Sequence, residues 1–145
     1  MEIDPEHFRK LERLYHGAPI NQFFRPTLAV SHGAAELVLP VRPEFFHAAH
    51  AVHGSIYFKA LDDAAFFAVN SLVTDVFVLT ASYNLYLTRP VTEGVLRALG
   101  RVVHRSRQLF LAEAELLDAE GRQVGRGSGS FMRSAIPLTP AVGYA

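Results

Sequence analysis

Residues 50–71 read HAVHGSIYFKALDDAAFFAVNS. From about Ser55 to Leu72 nearly every position is apolar, and Ile56, Tyr57, Phe58, Leu61, Phe66, Phe67 and Val69 fall on all sides of a 3.6-residue repeat. The segment therefore predicts a helix buried all round, which needs a sheet wrapped about it rather than a surface to lie on. The flanking sequence supplies such a sheet. DVFVLTASYNLYLTRP (75–90) and GVLRALGRVVHR (94–105) are rich in β-branched and large apolar residues and read as long strands. LFLAEAELLDAEGR (109–122) sets Phe110, Ala112, Ala114 and Leu116 against Leu111, Glu113, Glu115 and Leu117, then turns at Asp-Ala-Glu-Gly into QVGRGSGSFMR, a hairpin.

On the amino-terminal side, TLAVSHGAAELVLPV (27–41) reads as two short strands about a turn near Gly33, with Pro40 pushing the second toward a sheet edge. DPEHFRKLERLYHG (4–17) carries the marks of a bounded helix from Pro5 to His16, with Asp4 as N-cap and Gly17 past the end. Phe8, Leu11, Leu14 and Tyr15 give it one apolar stripe. RPEFFHAAHAVHG (42–54) lacks periodicity and reads as a loop. Consecutive strands around one helix, without crossover helices, make an α+β fold with an antiparallel sheet. A chain of 145 residues, half of them hydrophobic, suits one domain over 1–145, with a helix and loop at 1–24 and a loosely attached tail from 134 to 145.

Composition narrows the partners. Lys plus Arg and Asp plus Glu both total 14, so no overall field draws nucleic acid or an acidic membrane. With no cysteine, disulfides, thiolate catalysis and cysteine-based zinc sites are excluded. The polar beginning MEIDPEHFRK and the absence of a long apolar run give the expectation of a cytoplasmic protein.

Asp62 and Asp63 interrupt the apolar helix. At about 100° per residue, Ser55, Lys59, Asp62, Asp63 and Asn70 share one stripe, and an ordinary solvated face accounts for it. Phe66 within that stripe instead suits an interface or a pocket. The His53-Gly54 pair ahead of the helix favours chemistry: Gly lets a ligand approach, and the free N–H groups of Gly54 and Ser55 would face a developing oxyanion. Acyl transfer needs such donors together with a carboxylate that attacks or activates water. Eight residues separate Gly54 from Asp62, about 12 Å of helix axis at 1.5 Å per residue, so one helix cannot bring both to one carbonyl. Two copies with antiparallel helices could, and a two-fold dimer would hold two equivalent sites.

HGSIYFKALDDAAFFAVNS, LTASYNLYLTRPVTEG and GRVVHRSRQLFLAEAELLDAEGRQVGRGSGSF together resemble the hotdog-fold acyl-CoA thioesterases of the phenylacetate-degradation type, related to 4-hydroxybenzoyl-CoA thioesterases. The resemblance covers about residues 35 to 133. The family pattern is His-Gly-Gly opening the central helix, an acid nine residues after the His, a strand ending in Arg-Pro, and a Gly-Arg pair before the next long strand. It implies that Asp62 is nucleophile or general base and that the Gly54 amide polarises the thioester carbonyl. It also implies a homodimer, often doubled to a tetramer, acting on acyl-CoA without metal or organic cofactor. Ser55 replaces the second Gly, His47 stands where the family has Asn, His50 where it has Gly, and Ser106 replaces the Gly before Arg107. A neutral His47 can still hydrogen-bond a carbonyl or water.

Other features carry weaker readings. His47, His50 and His53 are spaced by three in a loop, without HExxH, so one helix-entry His with two pocket or surface residues is favoured over a metal site. Gly125, Gly127 and Gly129 repeat every second residue and would leave one strand face bare for a helix or an acyl chain. Arg101, His104, Arg105 and Arg107, with Arg89 ending the preceding strand, form a basic group that would hold coenzyme A phosphates or simply a solvated strand end. Thr80 and Asn84 share one side of their strand and would line the acyl pocket or satisfy backbone groups. Two other functions fit the same residues: a non-catalytic acyl-CoA-binding protein and a hydratase acting on enoyl or hydroxyacyl thioesters.

Overall fold

Helix α1 (Pro5–Gly17) starts where Asp4 accepts a hydrogen bond from the Glu6 amide at 2.9 Å, and it buries His7, Phe8, Leu11, Leu14 and Tyr15 along one side. The computed structural model describes residues 2–145. The segment expected as a loop after α1 contains a second short helix, α2 (Pro19–Phe24), closed by Arg25 in the left-handed region. Strands β1 (Thr27–Ser31) and β2 (Ala34–Pro40) follow as a hairpin about Gly33, whose φ of 71° suits glycine. A 3-10 turn at Pro43–Phe45 leads through the His-rich loop to α3 (Gly54–Asn70). Strands β3 (Val76–Leu87), β4 (Val95–Arg105), β5 (Leu109–Leu117) and β6 (Gln123–Pro137) complete the chain, ahead of a last 3-10 turn at Pro140–Val142.

All pairings are antiparallel, in the order β1-β2-β4-β5-β6-β3. The sheet therefore ends in β1 on one side and β3 on the other. Pro40 does not mark an edge strand: β2 lies between β1 and β4, and Pro40 is its last residue, where its missing N–H is harmless.

The sheet closes around α3 as its composition requires. Tyr57, Leu61, Ala64, Ala65, Ala68 and Val69 are all buried, against strand residues such as Leu37, Leu96, Ala98, Ala112, Leu116 and Phe131. Contact is tightest at Gly100, where a Cβ would lie 2.4 Å from the carbonyl carbon and oxygen of Ala64, so only glycine lets β4 come so close. The face of β6 left bare by its glycines is filled by aromatic rings: Tyr83 covers Gly127 and Gly129, while Tyr57 packs at Gly125.

Two expectations are corrected at the chain ends of these elements. The polar stripe of α3 is solvated only at its start: Ser55 is exposed, and Lys59, Asp62 and Asp63 are half-buried. Asn70 is fully buried, with its side chain donating to the Val73 and Val76 carbonyls and accepting from the Val78 amide. It stitches the helix end to β3. The tail, too, is tied down: β6 runs on to Pro137, Tyr144 bonds His7 at 2.8 Å, and Gly143 packs on Leu14.

Candidate active site

Strand β3 runs antiparallel to α3 along its whole length. Leu87 reaches Gly54, the Tyr83 ring lies 5.7 Å from that of Phe58, Thr80 bonds Asp62, and the Phe77 ring lies 5.0 Å from that of Phe66. Asp62 thus projects from mid-helix toward the edge strand, where Thr80 Oγ1 donates to its Oδ1 at 2.9 Å. Burial pushes the Asp62 carboxyl up to about 6, the Thr80 hydrogen bond opposes that rise, and the neighbouring Asp63 charge adds to it. The result is a carboxylate unusually basic for an aspartate and held by a single hydroxyl.

Asp63 is engaged differently. Its Oδ2 accepts from the Tyr15 hydroxyl at 2.6 Å and from Lys59 at 2.8 Å, both partly buried. Tyr15 comes from α1, and burial beside these two acids drives its hydroxyl far above the ordinary tyrosine range. Asp63 is therefore a brace between the amino-terminal helix and α3, which leaves Asp62 as the acid available for chemistry.

A cavity of about 200 Å³ opens beside Asp62 and Thr80. Its walls are Phe66, Phe67 and Phe77 on one part and Leu14, Ala18, Ile20 and Asn21 from α1 and α2 on the other. A larger hollow of about 620 Å³ lies on the sheet, lined by Glu36, Arg101, Glu113, Glu115 and Arg126. Several of those charges pair with one another, as in Arg101–Glu113 and Arg126–Glu115, and Asp62 is not part of it.

At the start of α3, His53 is the N-cap: its Nδ1 accepts from the Ser55 amide at 3.0 Å and from the Ser55 hydroxyl at 2.8 Å. This corrects the expectation of two free amides. Ser55 N–H is spent on the cap, and among the described residues the Gly54 amide has no acceptor. Because Nδ1 accepts, the neutral His53 ring carries its proton on Nε2. His47 is held likewise, with Nδ1 accepting from the Ala49 amide at 3.0 Å and its ring 6.5 Å from that of His53, so its Nε2–H is the free donor. His50 adopts φ 67°, the left-handed region, between these two histidines. Among the described residues no three His, Asp or Glu side chains gather as a metal site.

The remaining expected residues scatter. A bulge between Thr80 and Ser82 flips the alternation of β3: Thr80 pairs with buried Phe131, while Asn84 pairs with exposed Ser128 on the opposite face. Asn84 therefore leaves the pocket, and Tyr83 takes the inward position. Arg105 and Arg107 line a hollow of about 400 Å³ with Arg133 and Leu72, at the carboxyl end of α3. Arg89 sits at the other end of the fold, where its carbonyl accepts from Tyr57. The five basic residues do not form one patch. Sequence reasoning missed Tyr15, Asn21 and Tyr83; Tyr15 was visible only as one apolar position in the α1 stripe.

A six-stranded antiparallel sheet wound on one apolar helix, with an acid at mid-helix facing the edge strand, is the hotdog arrangement. The sequence profile of the thioesterase superfamily matches residues 49–125, more than half of the chain, and the protein belongs to that superfamily. The PaaI protein of the Escherichia coli phenylacetic acid degradation operon superposes with a TM-score of 0.85 at 17% identity, covering 95% of this chain and all (100%) of that one. The phenylacetic acid degradation protein PaaI of Thermus thermophilus, in a mutant form, gives 0.73 at 21%, covering 81% of this chain and 100% of that one. A protein of Saccharolobus solfataricus, named provisionally as an esterase, is 21% identical over 126 residues, which is 87% of this chain and 86% of that one. The structural likenesses speak for the fold, and the superfamily for hydrolysis of thioesters as the general chemistry. No helix here is long and apolar enough to cross a membrane among the described residues.

Proposed function

We propose that this protein hydrolyses an acyl-CoA thioester to the free acid and coenzyme A in sites shared between two subunits. The observation that carries this reading is the Asp62 carboxylate, set at a cavity, steadied by Thr80 and pushed up to about 6. A base with that proton affinity is better matched to water activation near neutral pH than an ordinary aspartate. In this reading Asp62 takes a proton from water, the hydroxide adds to the thioester carbonyl, and the oxyanion that forms accepts from a Gly54 amide. Collapse breaks the carbon–sulfur bond, and the coenzyme A thiolate leaves and is protonated. Direct attack by Asp62 to form an anhydride uses the same groups.

The fold supports the shared site. Twelve-residue β3 is a free sheet edge with Leu79, Tyr86 and Leu87 exposed, a surface that a second copy would pair. Antiparallel pairing of two β3 edges about a two-fold near Tyr83 would set the two α3 helices antiparallel. The Leu87 end of one strand, with its Gly54, would then face Thr80 and Asp62 of the other. Two such dimers associating would give the tetramer. Arg105 and Arg107, which have no carboxylate partner among the described residues, would hold coenzyme A phosphates.

Free-thiol release from a panel of acyl-CoAs tests the reading, since a chain without cysteine contributes no thiol of its own. Wild type should release coenzyme A and Asp62→Asn should not. Binding of intact acyl-CoA with no release from any thioester would replace hydrolysis by ligand binding. A change in enoyl absorbance without thiol would point to hydration.

A further inference from the structure

Lys59 stands three residues before Asp62 and four before Asp63, within reach of both along one side of α3. Its ammonium lies 2.8 Å from Asp63 Oδ2 and makes no ion pair with Asp62, whose one hydrogen-bond partner among the described residues is Thr80. The choice between the two acids is made from the amino-terminal side. Tyr15 donates to the same Asp63 oxygen at 2.6 Å, and the ammonium sits 5.5 Å from the centre of the Tyr15 ring and 5.0 Å from that of Phe24, both of which attract a cation. Asp62 turns the other way, to Thr80 on β3. The Lys59 side chain is only 13% exposed, so without Asp63 it would be a nearly buried charge in need of a new anion. The acid within its reach on the helix is then Asp62.

We propose that Asp63 is a positioning residue that acts through Lys59: it holds the ammonium on the α1 side of α3 and so keeps Asp62 free of a cation that would pair with it and quench it as a base. The groups facing Asp62 are few. Lys59 and Asp63 come from its own helix, Tyr15 from α1, and Thr80 and Tyr83 from β3, while α2 brings no charge to the cavity. Among the described residues Lys59 is the one cation of this set, and where it rests decides how readily Asp62 takes a proton from water. Tyr15 and Phe24 lie outside residues 49–125, so this control over Asp62 is exerted by the amino-terminal helices rather than by the segment that matches the superfamily profile.

The inference rests on the proposed use of Asp62 as the base, and its test reads Asp62 directly. Carbon-13 carboxyl shifts of aspartate-labelled protein, assigned through Asp62→Asn, follow the ionisation of Asp62 whether or not any thioester is hydrolysed, and kcat/KM is measured against pH beside them. Asp63→Asn should lower the Asp62 midpoint from about 6 to about 5 or below, because it removes a repelling charge and releases Lys59, and the acid limb of kcat/KM should follow. Loss of the Asp63 charge alone accounts for part of that fall, so Lys59→Met is made in both backgrounds. In otherwise wild-type protein, where Lys59 has the smallest influence on Asp62, it should change the Asp62 acid constant by less than about threefold; in Asp63→Asn it should lower that constant by about tenfold or more and return the midpoint to about 6 or above. Asp63→Glu, which keeps a carboxylate for Lys59, should hold the midpoint near 6, and Asp63→Ser takes the place of Asp63→Asn should that variant not fold. A midpoint that stays put in the uncharged variants, or an equal response to Lys59→Met in both backgrounds, overturns the inference. The expected shifts with no thiol release from wild type overturn the hydrolytic reading alone; a wild-type Asp62 that titrates at the ordinary 3.8 overturns both.

Discussion

Asp62 and Asp63 are adjacent, alike in chemistry and partly buried, yet their surroundings divide them. Asp63 has two donors on one oxygen, whereas Asp62 has one hydroxyl and a cavity. Asp62→Asn should therefore abolish turnover, and Asp63→Asn should leave kcat/KM within about tenfold while lowering stability by roughly 1–3 kcal/mol through the loss of its partly buried ion pair. Thermal melts beside steady-state kinetics separate the two effects. The pH dependence follows from the same carboxyl. Its value in the fold, about 6, lies above the ordinary 3.8, so the ionised form is present above pH 6 and kcat/KM should fall about tenfold per unit below it. The linkage has the matching sign. Ionising Asp62 in the fold is unfavourable above pH 6, by at most about 3 kcal/mol for a rise of two units, and the penalty vanishes as the pH falls toward 3.8. Asp62→Asn should accordingly melt higher than wild type at pH 8. A second residue in the loop is strained: His50 holds φ 67°, where glycine is at ease. His50→Gly should raise stability by about 1 kcal/mol in a denaturant titration.

At the scale of elements, the sequence of α3 was enough to demand a wrapped sheet, because no residue of its apolar surface offered an outer face. Residues whose role depends on a partner distant in the chain were not legible in this way. Asn70 looked like part of a solvated stripe and is instead the buried joint between α3 and β3, and the bulge at Thr80/Ser82 exchanged Asn84 for Tyr83. Nothing in a two-residue alternation announces a bulge. Nor does the Pro-containing tail show in its own pattern that Tyr144 meets His7, 137 residues away. Two predictions belong here. Gly100 admits the Ala64 backbone, which cannot yield as a side chain tip would, so Gly100→Ala should destabilise the fold by about 2 kcal/mol or more. His7 joins α1, the end of α3 and the tail: its Nε2–H donates to the Asn70 carbonyl, and its Nδ1 accepts from Tyr144. Burial lowers its proton affinity, so protonation favours the unfolded chain. The stability held by neutral His7 is full above pH 6.5 and is lost as the pH falls below that value. Wild type should thus lose melting temperature between pH 7 and pH 5 more steeply than His7→Gln.

For the whole molecule, the decisive question is whether one site draws its groups from two chains. Gly54 is the first residue of α3, and the residue before it, His53, has φ −64° and ψ 143°, the conformation that proline tolerates in its predecessor. Proline is also at home in the first position of a helix. Gly54→Pro therefore removes the N–H while keeping the helix, and the nearest atom to the new Cβ is the movable tip of Leu87, at 3.0 Å. Asp62→Asn and Gly54→Pro should each be inactive as homodimers. Co-refolded in equal amounts, they should recover activity, because a mixed dimer holds one site with both native groups and one with neither. Statistical assortment makes about half of the dimers mixed with one native site in two, so about a quarter of wild-type activity should return. If Gly54 and Asp62 of the same chain served one site, every site in the mixture would lack one group and no activity would return.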